Sequence, residues 1–320
     1  MVHLLVAGKL HPSGEALLDT LPDSGVTVDY VQEVTEASYA PLIHKADGLV
    51  IRTQPLSAAT IAMAERLKVV SRHGVGYDAV DLPALNDRGI ALTIVGDVNS
   101  VSVAEHAMML LLACAKRARL ADRAVREAGQ WHWRDRYEQR EISGKNLLIL
   151  GYGRIGQALA RMASGFGMQV RAYDPFLASA GWPDGDVAQV SFNEGLAWGD
   201  YISIHIPRND APLFGKAEID RMKRGAILIN TARGGVVEER SLAQALASGQ
   251  IGAAGVDVFD REPPGDESPL VGQPNAILSP HIAGLTAECS ERMALASIDN
   301  ALKYLSGTID RRMIVNADHV

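Results

Sequence analysis

The sequence has few of the features that mark secreted, nucleic-acid-binding or membrane-spanning proteins. It contains only two cysteines, Cys114 and Cys289, so no disulfide framework is expected and a reducing compartment is indicated. Its 31 basic residues are outnumbered by 38 acidic residues, and the net charge of −7 argues against a nucleic-acid partner. The longest apolar run, residues 107–115, falls well short of the roughly 20 residues that a membrane span needs.

The length and the first residues set two further bounds. At 320 residues the chain exceeds the roughly 250–300 at which a single hydrophobic core stops growing, so two domains are expected. Residues 1–8 are typical of a first strand and turn, without the basic leader or the long apolar run of a signal peptide. The sequence therefore predicts a cytoplasmic protein with no membrane partner.

Short apolar strands alternate with helical stretches, which is typical of parallel α/β sheets. A first series of strands is predicted at residues 3–7, 26–31, 48–51, 69–71 and 91–94. A second series is predicted at residues 147–150, 169–173, 201–205, 226–230, 252–258 and 276–278. The tail that begins with a helix at residues 287–305 cannot bury a core alone, so it is expected to return to the first domain. The predicted fold class is α/β with two doubly wound parallel-sheet domains, residues 1–99 plus 286–320 and residues 100–285.

Two connecting segments depart from this pattern. A long helix is expected to open with a capping box, because Ser102 and Glu105 have the required spacing. Residues 103–115 are apolar on nearly every face of that helix, which predicts cover from both domains or from a second subunit, and the basic residues 116–126 continue the helical pattern. The segment that precedes the strand at residue 201 is expected to be a loop, because it contains Gly181, Pro183 and Gly185.

One stretch has the pattern of a dinucleotide-binding turn. The predicted strand at residues 147–150 leads into a helix through Gly151-Tyr152-Gly153-Arg154-Ile155-Gly156. Gly151 is expected to make the turn, Gly153 to let the backbone approach a pyrophosphate, and Gly156 to let the helix pack closely on the strand. Free N–H groups and the helix dipole would then form an anion site.

Asp174 ends the next predicted strand, where an acid can accept hydrogen bonds from a ribose diol. A glycine turn alone is a weak signal and is most often structural, but here the strand, the helix and the acid occur in the expected order. The sequence therefore predicts a dinucleotide site. The charge of Asp174 favours NAD over NADP because it would repel a 2′-phosphate, and Arg171 lies within the strand, where it is a poor receptor for that phosphate.

Two positively charged spots follow strand ends in the first domain. Arg52 follows the strand at residues 48–51, and the strand at residues 69–71 leads into Arg72-His73-Gly74-Val75-Gly76. Open α/β sheets bind ligands beyond the carboxyl ends of their strands. For either arginine alone, a surface salt bridge is the commoner explanation. The pair together with the N–H groups of a glycine turn makes a carboxylate or phosphate site a competing interpretation.

Three ionisable residues lie at or just past strand ends of the second domain: Arg233, Glu262 and His281. Each alone has a plain explanation, as a surface arginine, a loop carboxylate or a hydrogen-bonded histidine. All three fall on the sheet edge that carries the glycine turn, where the reactive ring of the cofactor is expected. Their grouping at this edge makes them candidates for the chemistry of the site.

The chain resembles, over essentially its whole length, the D-isomer-specific 2-hydroxyacid dehydrogenases, which include phosphoglycerate, glyoxylate/hydroxypyruvate and D-lactate dehydrogenases. The most specific blocks are residues 151–156 with Asp174, residues 200–235, and the Glu262 and His281 blocks. Residues 72–78 and 99–105 resemble the phosphoglycerate dehydrogenase branch of the family most. The resemblance implies a Rossmann NAD-binding domain inserted in a flavodoxin-like substrate domain, and a homodimer paired through the apolar helix.

The resemblance also implies individual roles. Arg233 would bind the substrate carboxylate and keto oxygen, His281 would be the acid/base, and Glu262 would orient His281. Asp257 would hold the nicotinamide carboxamide, and the backbone of residues 74–76 would offer donors to the carboxylate. NAD is the expected cofactor, and no metal site is predicted. Cofactor contacts are implied for Gly151, Gly153, Arg154, Ile155, Gly156, Asp174, His205, Pro207, Thr231 and Ala232.

The expected reaction follows from charge. Hydride passes from the nicotinamide to the keto carbon of a 2-oxo acid, while His281 protonates the keto oxygen and Arg233 stabilises its charge. Neutral His281 is the base in the reverse direction. Glu262 is expected to stabilise the protonated ring near neutral pH. The related formate dehydrogenase branch moves no proton and differs at the Glu262 position, so acid/base chemistry is favoured.

Alternatives to this reaction stay open at the level of sequence. A dinucleotide-sensing binding protein, like the transcriptional corepressors that share this fold, would bind the cofactor without turnover. Among enzymes, a small-substrate reductase for glyoxylate or hydroxypyruvate competes with a dehydrogenase for a doubly acidic, 3-phosphoglycerate-like hydroxyacid. We expect Arg52, Arg72 and His73 to decide this, because desolvated arginines without an anion are costly. The competing interpretation is that they pair with Asp78 or Asp81.

Overall fold

The computed structural model describes residues 2–208 and 211–320. The chain divides into two compact units, which we call the terminal unit, Met1–Asn99 with Leu285–Val320, and the central unit, Ser100–Gly284. The strands, in chain order, are β1 Val2–Ala7, β2 Val26–Val31, β3 Gly48–Ile51, β4 Val69–Arg72, β5 Ala91–Thr93, β6 Asn146–Leu150, β7 Gln169–Tyr173, β8 Ala188–Gln189, β9 Tyr201–Ile204, β10 Ala226–Asn230, β11 Ile251–Val256 and β12 Ala276–Leu278.

The α-helices, in chain order, are α1 Pro12–Thr20, α2 Glu36–Tyr39, α3 Ala58–Ala62, α4 Leu82–Asp87, α5 Ser100–Ala115, α6 Ala118–Arg126, α7 Arg154–Gly165, α8 Pro175–Ala180, α9 Phe192–Trp198, α10 Lys216–Arg221, α11 Glu239–Ser248 and α12 Ala287–Leu305. Short 3₁₀ helices span Leu21–Ser24, Ala40–Lys45, Trp131–Arg136 and Arg311–Met313. None of the helices in the described part of the chain is both long enough and apolar enough to cross a membrane.

The terminal unit contains a five-stranded parallel sheet in the order β2-β1-β3-β4-β5. This is the flavodoxin-like doubly wound order. Successive residues of a strand face opposite sides of the sheet, so the central strand β1 contributes to two cores. Leu4 and Val6 share one core with Ala294 and Ile298 of α12. The helix near the end of the sequence therefore covers one face of the sheet that the first residues begin.

The central unit contains a seven-stranded parallel sheet in the order β12-β11-β10-β9-β6-β7-β8. Strands β6 and β9 are neighbours, with Ile149 opposite Ser203, and the winding of the chain reverses between them. Such a switch point leaves a crevice at the carboxyl ends of the strands, which is where doubly wound sheets bind dinucleotides. The predicted fold class, α/β with two doubly wound parallel sheets, is confirmed.

The segment predicted as a loop before residue 201 contains regular structure instead. It forms α8, the short strand β8 and α9. Asp174 caps α8 by accepting hydrogen bonds from the N–H groups of Phe176 and Leu177, and Ser191 caps α9 by accepting from the N–H of Glu194. The caps were visible in the sequence. The glycines and the proline that suggested a loop lie between the two helices.

The start of α5 and its continuation also differ from the prediction. The helix begins at Ser100, so Ser102 lies inside its first turn and the predicted capping box at Ser102 is wrong. The basic stretch does not continue α5, because Arg117 adopts a left-handed conformation with φ of 51° and a new helix begins after it. A left-handed residue breaks an α-helix. The helical pattern of residues 116–126 gave no sign of this break.

Candidate active site

The glycine turn after β6 has no room for side chains at two of its three glycines. Gly151 has a φ of 90°, and a Cβ there would lie 2.6 Å from the carbonyl oxygen of His205. A Cβ on Gly156 would lie 2.2 Å from the carbonyl oxygen of Gly151, so α7 packs against the turn itself. The roles predicted for these two glycines, making the turn and allowing close packing, are confirmed.

Gly153 differs from its neighbours because a Cβ there would meet nothing within 4 Å. It is the N-cap residue of the 12-residue helix α7 and supplies no side-chain cap to that helix. The N–H groups of the first turn, which includes Arg154 and Ile155, lie at the positive end of the helix dipole, next to the open space at Gly153. This cradle fits a pyrophosphate.

Asp174 is positioned by three backbone N–H groups. Its Oδ2 accepts from Tyr152 at 2.9 Å, and its Oδ1 accepts from Phe176 at 3.0 Å and from Leu177 at 3.1 Å. A carboxylate has about four acceptor sites, so one remains for a ligand hydroxyl. The Arg171 guanidinium stacks over the ring of Trp198, with Cζ 4.6 Å from the ring centroid. Arg171 is the arginine that the sequence analysis considered as a binding residue for a 2′-phosphate, and this stacking engages it within the protein.

The remaining predicted cofactor residues follow the ends of β9 and β10: His205, Pro207, Thr231 and Ala232. Burial lowers the pKa of His205 to about 4, and its Nε2 lies 2.8 Å from Ser203 Oγ. Two buried polar atoms, His205 Nδ1 and Thr231 Oγ1, find no hydrogen-bond partner within the described ranges. Unpaired buried polar atoms are rare, and here they lie at strand ends next to the glycine turn.

His281 and Glu262 form a hydrogen-bonded pair. His281 Nδ1 lies 2.7 Å from Glu262 Oε2, and the two side chains are 48% and 39% exposed. An ionised carboxylate can only accept, so Nδ1 carries the proton of this bond and Nε2 is left for other partners. Burial acts to raise the pKa of Glu262, but the hydrogen bonds from His281 and the Phe259 N–H, with the charges of His281 and Arg233, outweigh it and lower the pKa.

Arg233, which was predicted to act together with this pair, follows β10. Arg233 is half-buried, and its Nη1 donates to the carbonyl of Ala232 at 2.7 Å. A Cβ on the next residue, Gly234, would lie 1.8 Å from the carbonyl oxygen of Phe259. The turn after β10 is therefore in direct backbone contact with the loop after β11 that carries Glu262. All three predicted catalytic residues thus lie at one edge of the central sheet.

The backbone of His281 is held in a left-handed conformation with φ of 53°. Such a conformation costs about 1–3 kcal/mol in a non-glycine residue and persists only where the surroundings impose it. The N–H of His281 donates to the carbonyl of Asp257 at 2.8 Å. The following N–H groups, of Ile282 and Ala283, donate to the Asp257 carboxylate at 3.0 and 2.9 Å. Asp257 therefore fixes the loop that presents His281.

Asp257, for which the family resemblance implies a contact with the nicotinamide carboxamide, has a defined set of partners within the protein. Its side chain is completely buried, and both oxygens already accept hydrogen bonds from the His281 loop. With the hydrogen bond from Ser279, three of the about four acceptor sites of this carboxylate are used, and its contact with the nicotinamide stays a prediction. The sequence analysis also missed two of its neighbours, Ser279 and His106. The signal for His106 was the one histidine of a largely apolar helix.

The charged residues of the terminal unit differ in how they are paired. Arg52 Nη1 donates to the carbonyl of Lys9 at 2.5 Å, and within residues 2–208 and 211–320 it forms no ion pair with a carboxylate. Burial lowers the pKa of Arg52, as expected for a cation that has lost water without gaining an anion. Arg72 Nη1 donates to the carbonyl of His73 at 2.9 Å. Asp81, one of the proposed alternative partners, caps α4 instead.

Two predicted substrate contacts in this unit, His73 and Gly74, have surroundings that bear on their roles, which stay predictions. His73 is only 6% exposed, and burial together with the charges of Arg52 and Arg72 lowers its pKa to about 3, so it is a neutral buried ring with little surface for a substrate. The N–H of Gly74 already donates to the carbonyl of Arg72 at 2.9 Å. The backbone donors that remain from the predicted set are those of Val75 and Gly76.

Comparison with known proteins identifies related sequences. A model of the D-isomer specific 2-hydroxyacid dehydrogenase NAD binding domain matches residues 108–283. A D-3-phosphoglycerate dehydrogenase of Archaeoglobus fulgidus is 34% identical over 299 residues, which cover 92% of this chain and 56% of that protein. A glyoxylate reductase of Korarchaeum cryptofilum is 36% identical over 278 residues, which cover 85% of this chain and 83% of that protein. The chain spans little more than half the length of the phosphoglycerate dehydrogenase.

The fold is also similar to that of solved structures. The crystal structure of an NAD-dependent formate dehydrogenase from Staphylococcus aureus in complex with NAD superimposes with a TM-score of 0.86 at 26% identity. The match covers 98% of this chain and 99% of that one. Both units of the present chain therefore have counterparts in that structure.

Proposed function

Because the chain belongs to the D-isomer specific 2-hydroxyacid dehydrogenase family, we propose that it is an NAD-dependent oxidoreductase that interconverts a 2-hydroxy acid and a 2-oxo acid. The observation that supports this most is the 2.7 Å pair of His281 and Glu262, on the sheet edge that also carries Arg233 and the glycine turn. A histidine with one nitrogen fixed by a carboxylate is suited to move a proton at the other.

NAD supplies the hydride acceptor or donor when it is bound. We propose that the N–H groups at the start of α7 bind its pyrophosphate beside Gly153, and that the free acceptor site of Asp174 binds its adenosine ribose. Thr231 Oγ1 and His205 Nδ1 are offered as further polar contacts, because a ligand would satisfy atoms that are otherwise unpaired. Together these groups would bind a dinucleotide without needing a lysine.

The proton and the negative charge are handled by three side chains. His281 Nε2 gives its proton to the keto oxygen in reduction and takes it from the hydroxyl in oxidation, because Nδ1 is engaged by Glu262. The lowered pKa of Glu262 keeps the carboxylate ionised, so its charge stabilises the protonated ring of His281. Arg233 binds the substrate carboxylate and stabilises the charge that develops on the reacting oxygen.

For the substrate, we propose an acid with a second anionic group. Arg52 is partly buried, and only a backbone carbonyl accepts its Nη1 hydrogen bond. A desolvated guanidinium without an anion is costly, and a phosphate, sulfonate or distal carboxylate would neutralise it. The N–H groups of Val75 and Gly76 are proposed as donors to the carboxylate that every 2-hydroxy acid carries. The competing substrate is glyoxylate or hydroxypyruvate, which the similarity to a glyoxylate reductase favours.

A panel of 2-oxo acids followed by NADH absorbance tests this proposal. Turnover with doubly acidic oxo acids at higher kcat/KM than with glyoxylate is the expected result. The reverse preference would replace the doubly acidic substrate with the small one. Binding of NADH without turnover of any oxo acid would favour a dinucleotide-sensing binding protein and overturn the enzymatic function.

The glycine turn gives a prediction with an internal control. Gly153→Ala should change the free energy of unfolding by no more than about 1 kcal/mol, because its backbone is extended and its Cβ would meet nothing, while alanine is a poorer N-cap than glycine. The methyl group would obstruct the pyrophosphate at a cost of about 1–3 kcal/mol, so the Kd for NADH should rise roughly 5- to 150-fold. Gly156→Ala should instead lower the Tm sharply. Unchanged NADH fluorescence titration of Gly153→Ala would remove the turn from the cofactor site.

The Glu262 carboxylate gives a pH prediction. Reduction requires protonated His281, so its rate falls when rising pH removes that proton. Because Glu262 stabilises the protonated ring, Glu262→Gln should move this fall to lower pH, which kcat measured against pH will show. Glu267→Gln removes the same charge from an exposed residue of the same loop, near Arg261, and should leave the profile in place. An unmoved profile in Glu262→Gln would contradict the pairing.

We also propose a homodimer. The apolar helix α5 is largely buried by its own unit, but Val101 and Met109 are 50% and 44% exposed, and Trp131 in the segment after α6 is 65% exposed. Large apolar side chains at this exposure commonly mark protein contacts. Light scattering at micromolar concentration should give twice the chain mass of 34.3 kDa, and a monomer would count against the proposal.

A further inference from the structure

His106 and Ser279 form a hydrogen-bond network with Asp257 that the proposed mechanism does not use. His106 Nε2 lies 2.9 Å from Ser279 Oγ, and Ser279 Oγ lies 2.5 Å from Asp257 Oδ1. The side chains of His106 and Asp257 are 13% and 0% exposed. Because a carboxylate only accepts, the hydroxyl of Ser279 donates to Asp257, and its oxygen accepts from Nε2–H of His106. The direction of both bonds is thereby fixed.

This network reaches the loop that presents His281. Asp257 Oδ1, which accepts from Ser279, also accepts from the N–H of Ile282, while Oδ2 accepts from the N–H of Ala283. The carbonyls of Asp257 and Ser279 both accept from the N–H of His281, at 2.8 and 3.1 Å. The two residues on which His106 acts are therefore the ones that impose the left-handed backbone of His281.

We propose that His106 is a positioning residue for catalysis. From helix α5 it anchors Ser279 and Asp257, and through them it sets the orientation in which His281 meets Glu262. The proposal rests on the oxidoreductase function proposed above. Its physical reason is that α5 packs against β10, β11 and β12, so His106 ties the His281 loop to the rigid core of the sheet rather than to another loop. Glu262 pairs with the His281 ring, and the charge of Arg233 in turn helps to lower the pKa of Glu262.

The test compares two replacements of His106. His106→Phe keeps an aromatic ring but removes the donor, and His106→Gln restores an N–H donor at the same reach. In His106→Phe we expect kcat for reduction to fall roughly 10- to 100-fold, because small misplacements of a catalytic group cost about that much. The Kd for NADH should stay near the wild-type value. The fall of the rate at high pH should move to lower pH, and His106→Gln should reverse both changes.

A second readout needs no substrate. The proton on His281 Nδ1 that is shared with Glu262 should give a low-field NMR resonance, which His281→Asn identifies by its loss. His106→Phe should shift or broaden this resonance, and His106→Gln should retain it. If His106 acts through Ser279, the double variant His106→Phe/Ser279→Ala should lose no more activity than the more severe single variant.

Three results would overturn the proposal. One is a His106→Phe protein with a lower Tm but with the wild-type pH profile and Nδ1 resonance, because a merely structural role moves only the Tm. Another is a double variant whose loss of activity equals the product of the losses in the two single variants. The third is failure of His106→Gln to restore either readout. If the wild-type protein reduces no 2-oxo acid, the proposed function fails, but the NMR comparison still decides whether His106 positions His281.

Discussion

His281→Ala lowers kcat for reduction of a 2-oxo acid by roughly 10²- to 10⁴-fold, the usual contribution of a general acid, and leaves the Kd for NADH nearly unchanged. The expectation follows from the geometry, in which Nδ1 is engaged by Glu262 and only Nε2 is left to act on a substrate oxygen. No contact to a nucleotide is assigned to this ring. The two quantities are measured by steady-state kinetics and by NADH fluorescence titration.

The backbone of His281 provides the control. At φ of 53° alanine is disfavoured, whereas asparagine, like histidine, adopts the left-handed region several times more often than other residues. His281→Ala should therefore lose both stability and activity, and His281→Asn should keep the Tm and lose activity to the same extent. A loss below tenfold in His281→Asn would remove His281 from the acid/base role. Activity that follows the Tm across the two variants would show that the ring only supports the loop.

The sequence allowed the fold class and the glycine turn to be predicted because both depend on local patterns. A buried strand that ends before Gly151 and a helix that starts after Gly153 are encoded by one short stretch of sequence. Arg233, Glu262 and His281 could be grouped because parallel strands bring their carboxyl ends to one edge, whatever the sequence separation. The expectation of a parallel sheet was therefore enough to predict that the three residues share one edge.

Contacts that depend on packing between distant segments were not predictable in this way. The burial of Asp257 results from the His281 loop folding over it, 22 to 26 residues farther along the chain. His106 reaches Ser279 across 173 residues, and no spacing rule connects them. Gly74 has the glycine-turn signal for a free backbone donor, but a short turn back to Arg72 uses its N–H. In each case the hydrogen bond joins groups that no local sequence pattern connects.

The second large effect concerns Arg52, which we expect to select the substrate. Arg52→Ala should lower kcat/KM for a doubly acidic oxo acid by roughly 10- to 150-fold, because a charge-assisted contact is worth about 1.5–3 kcal/mol. Glyoxylate has no second anionic group, so its kcat/KM should stay nearly unchanged. The role follows from the Nη1 contact to the Lys9 carbonyl, which holds the guanidinium in place without neutralising it.

Arg52→Lys separates charge from geometry. A lysine keeps the positive charge but cannot offer two parallel N–H donors, so it should recover only part of the loss on the doubly acidic substrate. Both variants should keep the wild-type Tm within a few degrees, because the contact that they remove is a single hydrogen bond to a partly exposed carbonyl. Equal losses on glyoxylate and on the doubly acidic acid would mean that Arg52 supports the fold or the common carboxylate. In that case the second anionic group would be dropped from the substrate, and the small 2-oxo acids would remain.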